Sequence, residues 1–182
     1  MRFAKACIEA FACELPERVV TSEEIETRLA PLYERLKLPH GRLELMTGIR
    51  ERRLWPAQTR SSEIALRAAR KALEASSIRR QDIGRLIHAS VCRDFVEPAT
   101  ATVVHDALGL PSECVNYDLS NACLGVLNGI IEVAALIELG EIRAGLVVAG
   151  ENSAPLFEAT LARLLGDPTI TRRSFKEWFA SL

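Results

Sequence analysis

The sequence has almost no net charge: 23 lysines and arginines face 24 aspartates and glutamates, for a formal charge of -1 over 182 residues. Without a cationic surplus, overall charge supports no polyanion-binding role, and no nucleic-acid partner is expected. Cysteine motifs are missing too. Cys7, Cys13, Cys92, Cys114 and Cys123 form no Cys-x-x-Cys pair and no Cys/His cluster with zinc spacing, so no metal is expected. The odd number of scattered thiols fits a reducing cytoplasm. At the N-terminus, Met1-Arg2-Phe3-Ala4-Lys5 leads into no long apolar run with a small-residue cleavage site, so secretion is not expected. The longest apolar stretch, 124–139, is interrupted by Asn128, Glu132 and Glu138. It is short for a bilayer crossing and reads as a buried helix rather than a membrane span. Short repeats and low-complexity linkers are absent as well. What remains is ordinary for a globular chain, 48% hydrophobic and 26% charged, enough at this length to bury one sizeable core without disulfides.

Hydropathy patterning predicts strands alternating with helices. A strand is expected over 6–11. Thr21-Ser22-Glu23-Glu24 is a capping box that starts a helix, and Pro31, inside the apolar pattern of Ile25, Leu29, Leu32 and Leu36, should kink or break it. A strand over 49–54 should end before Pro56; its Arg50, Arg52 and Arg53 read as a solvated face or as part of a phosphate site. The clearest amphipathic helix covers 61–75. Further strands are expected over 86–91, 115–119 and 146–149, with helices over 99–108 and 124–139, the last ending at Gly140. Such alternation implies parallel pairing and a layered α/β sheet. The 124–139 helix is apolar nearly all round and should be covered on nearly every side. Its Gly125 and Gly129 leave one face open to close approach by another backbone.

Cys123 falls where a strand hands over to that helix, in Ser120-Asn121-Ala122-Cys123-Leu124-Gly125. A thiol at a helix N-terminus meets unpaired backbone N–H groups and the positive end of the macrodipole, both of which favour thiolate. The same amides suit the oxyanion formed when a thiolate attacks a thioester. Free cysteine is also among the most buried and least reactive residue types. That inert reading is preferred for Cys7, Cys13, Cys92 and Cys114; spacing alone leaves both open for Cys123.

Asp118-Leu119-Ser120-Asn121-Ala122-Cys123-Leu124-Gly125, with Thr47-Gly48-Ile49-Arg50-Glu51-Arg52 and Val147-Val148-Ala149-Gly150-Glu151, resembles the N-terminal half of a thiolase-fold condensing enzyme of the β-ketoacyl-ACP synthase III type. The resemblance covers nearly the whole chain. It implies an α/β, thiolase-like layered fold with a mixed, mainly parallel sheet and a buried central helix. Residues 1–182 would form one N-terminal half, with the C-terminal half absent. Cys123 would then take an acyl group from acyl-CoA and pass it to a carbon nucleophile.

The resemblance also implies that the loop around Pro98 reaches across a dimer into the partner's acyl tunnel. The family ordinarily has an aromatic residue close to this proline; here Glu97 precedes it. A carboxylate there resembles the branch that joins two fatty acyl-CoAs head to head, without decarboxylation, on the way to olefinic hydrocarbons. A malonyl donor makes its carbanion by losing carbon dioxide, whereas a plain acyl-CoA needs a base to remove an α-proton, and Glu97 fits that role. Outside this context a loop glutamate reads as simply solvated.

Other positions depart from the pattern. Met46 stands where a CoA-contacting arginine is common, and Arg42 lies in the region of a missing tryptophan, so no cofactor-binding residue is assigned. The family's catalytic histidine and asparagine come from its second half. His40, His88 and His105 all precede Cys123, and none is assigned as a substitute base; His88 and His105 read as structural. The expectation is an acyltransferase making a β-keto acid from two acyl-CoAs, with condensation not expected from this chain alone. A decarboxylative β-ketoacyl-ACP synthase III and a non-catalytic fragment are the alternatives. Acyl-CoA is a substrate and no separate cofactor is expected. The other expected partners are an acyl carrier protein as an alternative donor and a second copy or a complementing C-terminal half, in the cytoplasm.

Overall fold

Thr21 accepts the backbone N–H of Glu24 at 3.0 Å, which satisfies one of the unpaired amides of a first helical turn and starts a helix where the capping box places it. In the computed structural model, which describes residues 2–178, the first part of the chain forms β1 (Arg18–Thr21), α1 (Ser22–Arg28), α2 (Ala30–Leu36), α3 (Arg42–Thr47) and β2 (Glu51–Leu54). Pro31 sits in the first turn of α2, the position where its missing N–H costs nothing. It therefore divides two helices, as expected. Next come α4 (Ser61–Glu74), β3 (Ile83–His88), α5 (Thr100–Leu108), β4 (Val115–Asp118), α6 (Gly125–Leu139), β5 (Ala144–Val148), α7 (Ala154–Gly166) and α8 (Arg172–Trp178).

These elements form two compact units: one from the N-terminal residues through Glu14 with Gln58–Glu151, the other from Leu15–Ala57 with the chain from Asn152 onward. In the second unit β1 pairs antiparallel with β2, Val20 opposite Arg52. Ile25, Leu29, Leu43, Leu164 and Phe175 are among its buried core. Burial of each such side chain contributes roughly 1.5–3 kcal/mol. The Glu26 carboxylate lies inside this core and accepts from the Tyr33 hydroxyl and the Gly41 and Leu43 amides. Of the arginine cluster, Arg50 is exposed, while Arg52 donates to Ser22 Oγ and Arg53 to the Pro16 carbonyl. Burial pushes the Arg52 pKa down.

The first unit is a three-layered α/β/α arrangement on a parallel sheet of order β4-β3-β5. β3 is its centre, and side chains alternate between faces along a strand. Leu86 packs with Ala65, Ala69, Val104 and Leu108 of α4 and α5. Its neighbour Ile87 packs with Val133 of α6 on the other side. Gly129 makes that second contact possible: a Cβ there would stand 2.9 Å from Val147 Cγ1.

Three expectations are corrected. Residues 6–11 form no strand; the amides of Ala4, Lys5 and Ala6 are instead taken by the Glu138 carboxylate, and Ile8 and Phe11 are exposed. The central strand is Ile83–His88 rather than 86–91; beyond it the Ala89 amide still donates to the Val148 carbonyl, and Ser90 meets the Gly150 amide through its side-chain hydroxyl. The 124–139 helix is not covered all round. α6 buries only its Gly125, Gly129 and Val133 line, and Leu124 (55%), Leu127 (55%) and Ile131 (45%) are exposed. By length and composition alone, 122–139 is long and apolar enough to cross a membrane, but its glycine face packs on the sheet.

Candidate active site

β3 and β4 run parallel and end at the same rung, His88 opposite Asp118. At the carboxyl ends of parallel strands the connecting loops diverge and leave a crevice, which is where α/β sheets bind ligands. The loop after His88 carries Glu97, and the short connection after Asp118 carries Cys123. Both side chains are exposed. Among the described residues no hydrogen bond joins them.

Cys123 is the middle residue of a single 3-10 turn, Ala122–Leu124, so it lies ahead of α6 rather than at its cap. Ala122 has φ +45°, a left-handed conformation that costs a non-glycine residue roughly 1–2 kcal/mol. Neighbouring contacts offset this. Asn121 Nδ2 donates to Asn128 Oδ1 at 2.5 Å, and Gly125 seats the first turn of α6 against Ala89 and Leu119. No side chain caps α6; the Leu124 amide donates to the Asn121 carbonyl and the Gly125 amide to the Ala122 carbonyl, closing the turn that carries the thiol.

Behind the two loops lies His88, fully buried. Its Nε2 is 3.0 Å from Ser61 Oγ, and its Nδ1 is 3.4 Å from Asp118 Oδ1. Ser61 Oγ also bonds the carbonyls of Gly150 (2.5 Å) and Cys92 (3.0 Å). Serine, histidine and aspartate thus have the connectivity of a hydrolase triad, but Ser61 is only 4% exposed, so this is an internal clamp. Burial lowers the His88 pKa below 6.5, against the upward pull of Asp118, Asp94 and Glu151. The structural reading of His88 stands. Its partners were missed; the available signal was that a histidine ending a buried strand must find polar company. His105 Nε2 lies 3.0 Å from the Pro111 carbonyl, also structural, and His40 rests against Tyr33 at 5.7 Å.

Of the four cysteines read as inert, only Cys114 is buried, and burial raises its thiol pKa. Cys92 is half-buried, and Cys7 and Cys13 are exposed. Met46 is largely exposed. In the second unit Arg42 lines, with Lys37, Arg172 and Arg173, a cavity of about 410 Å³.

No protein-family model matches the chain. The acyl-CoA:acyl-CoA alkyltransferase of Shewanella oneidensis is 43% identical over 182 residues, which is 100% of this chain and 52% of that protein. The one from Xanthomonas campestris is 40% identical, over 100% of this chain and 54% of that protein. The chain matches the N-terminal half of the acyl-CoA:acyl-CoA alkyltransferases. It spans about half the length of these relatives. The crystal structure of cerulenin-bound Xanthomonas campestris OleA matches it with a TM-score of 0.91 at 39% identity, over 98% of this chain and 53% of that one. The acetamide-bound form gives 0.88 at 40% identity, over 96% and 53%. The fold is therefore that of the thiolase-type alkyltransferases, as the motifs imply. A β-ketoacyl-ACP synthase III from Erythrobacter litoralis is 32% identical over 166 residues, which is 90% of this chain and 49% of that protein. Similar OleA structures also include variants at a cysteine, a glutamate and a histidine. That cysteine and that glutamate are 26 residues apart, the separation of Glu97 and Cys123 here.

Proposed function

We propose that this chain is the N-terminal part of an acyltransferase that condenses two fatty acyl-CoAs without decarboxylation, with Cys123 as acyl acceptor and Glu97 as base, supplied across a dimer interface. The Cys123 thiolate attacks the thioester carbonyl of the first acyl-CoA; the carbon–sulfur bond to CoA breaks and CoA leaves as its thiol. Glu97 removes an α-proton from the second acyl-CoA. The resulting carbanion attacks the acyl-cysteine carbonyl, forming the new carbon–carbon bond and releasing the Cys123 sulfur. Water then cleaves the product thioester to a β-keto acid and CoA.

The observation that carries this reading is the placement of Cys123 and Glu97, both exposed, on the loops that leave two adjacent parallel strands at one rung. The alkyltransferase relatives and the shared cysteine–glutamate separation in OleA support it. Incubation with a long-chain acyl-CoA should give a mass adduct on Cys123 that a Cys123→Ala variant lacks. An unmodified Cys123, under conditions where a full-length relative acylates, would remove the nucleophile. The synthase III relatives favour a second reading, decarboxylative extension; carbon dioxide released from a malonyl donor would select it.

A further inference from the structure

The Val147–Glu151 motif takes no part in the chemistry above, yet Glu151 is one of three carboxylates that each bind two donors around the loop carrying Glu97. Ahead of the loop tip, Glu151 accepts the amides of Val91 at 2.7 Å and Cys92 at 3.1 Å, one on each oxygen. Within the loop, Asp94 takes the Ser62 amide at 3.1 Å on one oxygen and the Ser62 hydroxyl on the other. Behind it, Asp118 accepts the amides of Thr100 and Ala101, each at 2.8 Å. The Asp94 amide closes the loop on itself by donating to Thr100 Oγ1 at 3.0 Å. Hydrogen bonds to an ionised acceptor are the strong, directional kind. Together they tie the loop to the end of β4, to the first turn of α4 and to the segment after β5. Among the described residues, none of the hydrogen bonds to these three carboxylates comes from residues 95–99, and Glu97 is at the centre of that stretch.

We propose that Glu151, Asp94 and Asp118 are positioning residues for Glu97, their three two-donor contacts fixing the loop that presents it. The proposal rests on the reading of Glu97 as the base. A base must come within hydrogen-bond reach of the proton it removes, and a misplacement of about 1 Å costs on the order of a hundredfold in rate. Acyl transfer to Cys123 needs no such base, which separates positioning from general damage.

The test uses a protein carrying this chain and the remaining length of its relatives, with Glu151→Gln, Asp94→Asn and Glu97→Gln variants. Adduct formation on Cys123 and release of β-keto acid are measured separately, with hydrogen exchange at the Val91 and Cys92 amides. Expected for Glu151→Gln and Asp94→Asn is acylation within about twofold of the parent and condensation slowed by about tenfold or more. Amide exchange at Val91 and Cys92 should quicken by about tenfold in Glu151→Gln. Condensation at the parent rate in both tether variants, while Glu97→Gln is inactive, overturns the positioning role and leaves the base reading intact. Equal losses of acylation and condensation overturn it as well. Should Glu97→Gln condense normally, the base reading fails; the exchange rates then decide the tether alone, and unchanged protection refutes it.

Discussion

Gly150 is the residue whose identity the packing fixes most tightly. A Cβ on it would stand 2.1 Å from the Ser61 carbonyl oxygen, and its own carbonyl accepts the Ser61 hydroxyl. Backbone cannot yield as a side-chain tip can, so Gly150→Ala should destabilise by about 3 kcal/mol. Gly166, with nothing within 4 Å of its would-be Cβ, is the control: Gly166→Ala should be neutral or stabilise by up to ~1 kcal/mol. Urea midpoints of the two variants check both. His88 adds a pH dependence. Its folded pKa is lowered from 6.5, chiefly by burial and despite Asp118, Asp94 and Glu151 around it, so below pH 6.5 the unfolded chain binds a proton that the folded chain refuses. Stability must therefore fall as pH drops from 6.5 toward the lowered value. Between about pH 7.5 and about pH 5.5 the urea midpoint should decline, and His88→Gln should flatten that decline; an equally steep slope in the variant would refute the assignment. At this scale Cys123 and Glu97 were singled out by the family resemblance of the motifs around them, and what the structure adds is that both side chains are exposed. The partners of His88 were not, because Ser61 and Asp118 lie on separate elements and meet only after the sheet forms.

Among the elements, the strongly periodic ones were readable: α4, α5 and the β4–α6–β5 succession lie within a few residues of expectation. The failures have physical causes. Residues 6–11 have a strand-like composition, but the neighbouring amides of Ala4, Lys5 and Ala6 are committed to Glu138, and β pairing depends on a partner that local sequence does not reveal. Helix α6 is apolar on two faces, and periodicity cannot say which neighbour covers each. Its glycine face meets the sheet, whereas Leu124, Leu127 and Ile131 remain exposed at the spacing that makes one continuous stripe. Exposed apolar surface of that kind drives association. The 182-residue chain should therefore self-associate with rising concentration in sedimentation or light scattering. Leu127→Lys with Ile131→Lys should reduce that association while leaving helical circular dichroism unchanged. A parent chain that stays monomeric across the range would show that the stripe needs no cover.

For the whole molecule, the chain supplies both proposed reactive side chains, with no hydrogen bond between them among the described residues, and it spans about half the length of its alkyltransferase relatives. If Glu97 serves the partner's Cys123, each active centre of a dimer is built from two copies, and complementation follows from symmetry. Cys123→Ala and Glu97→Gln should each abolish condensation in a protein carrying this chain and the remaining length of its relatives. Mixed in equal amounts and allowed to exchange subunits, half of the dimers pair one variant with the other. In each such pair one centre combines an intact cysteine with an intact glutamate, and the other has neither. β-Keto acid formation should return to roughly one quarter of the parent rate. A base acting within its own subunit gives no intact centre in any pairing. Continued inactivity after verified subunit exchange would therefore place Glu97 and Cys123 in the same subunit's reaction.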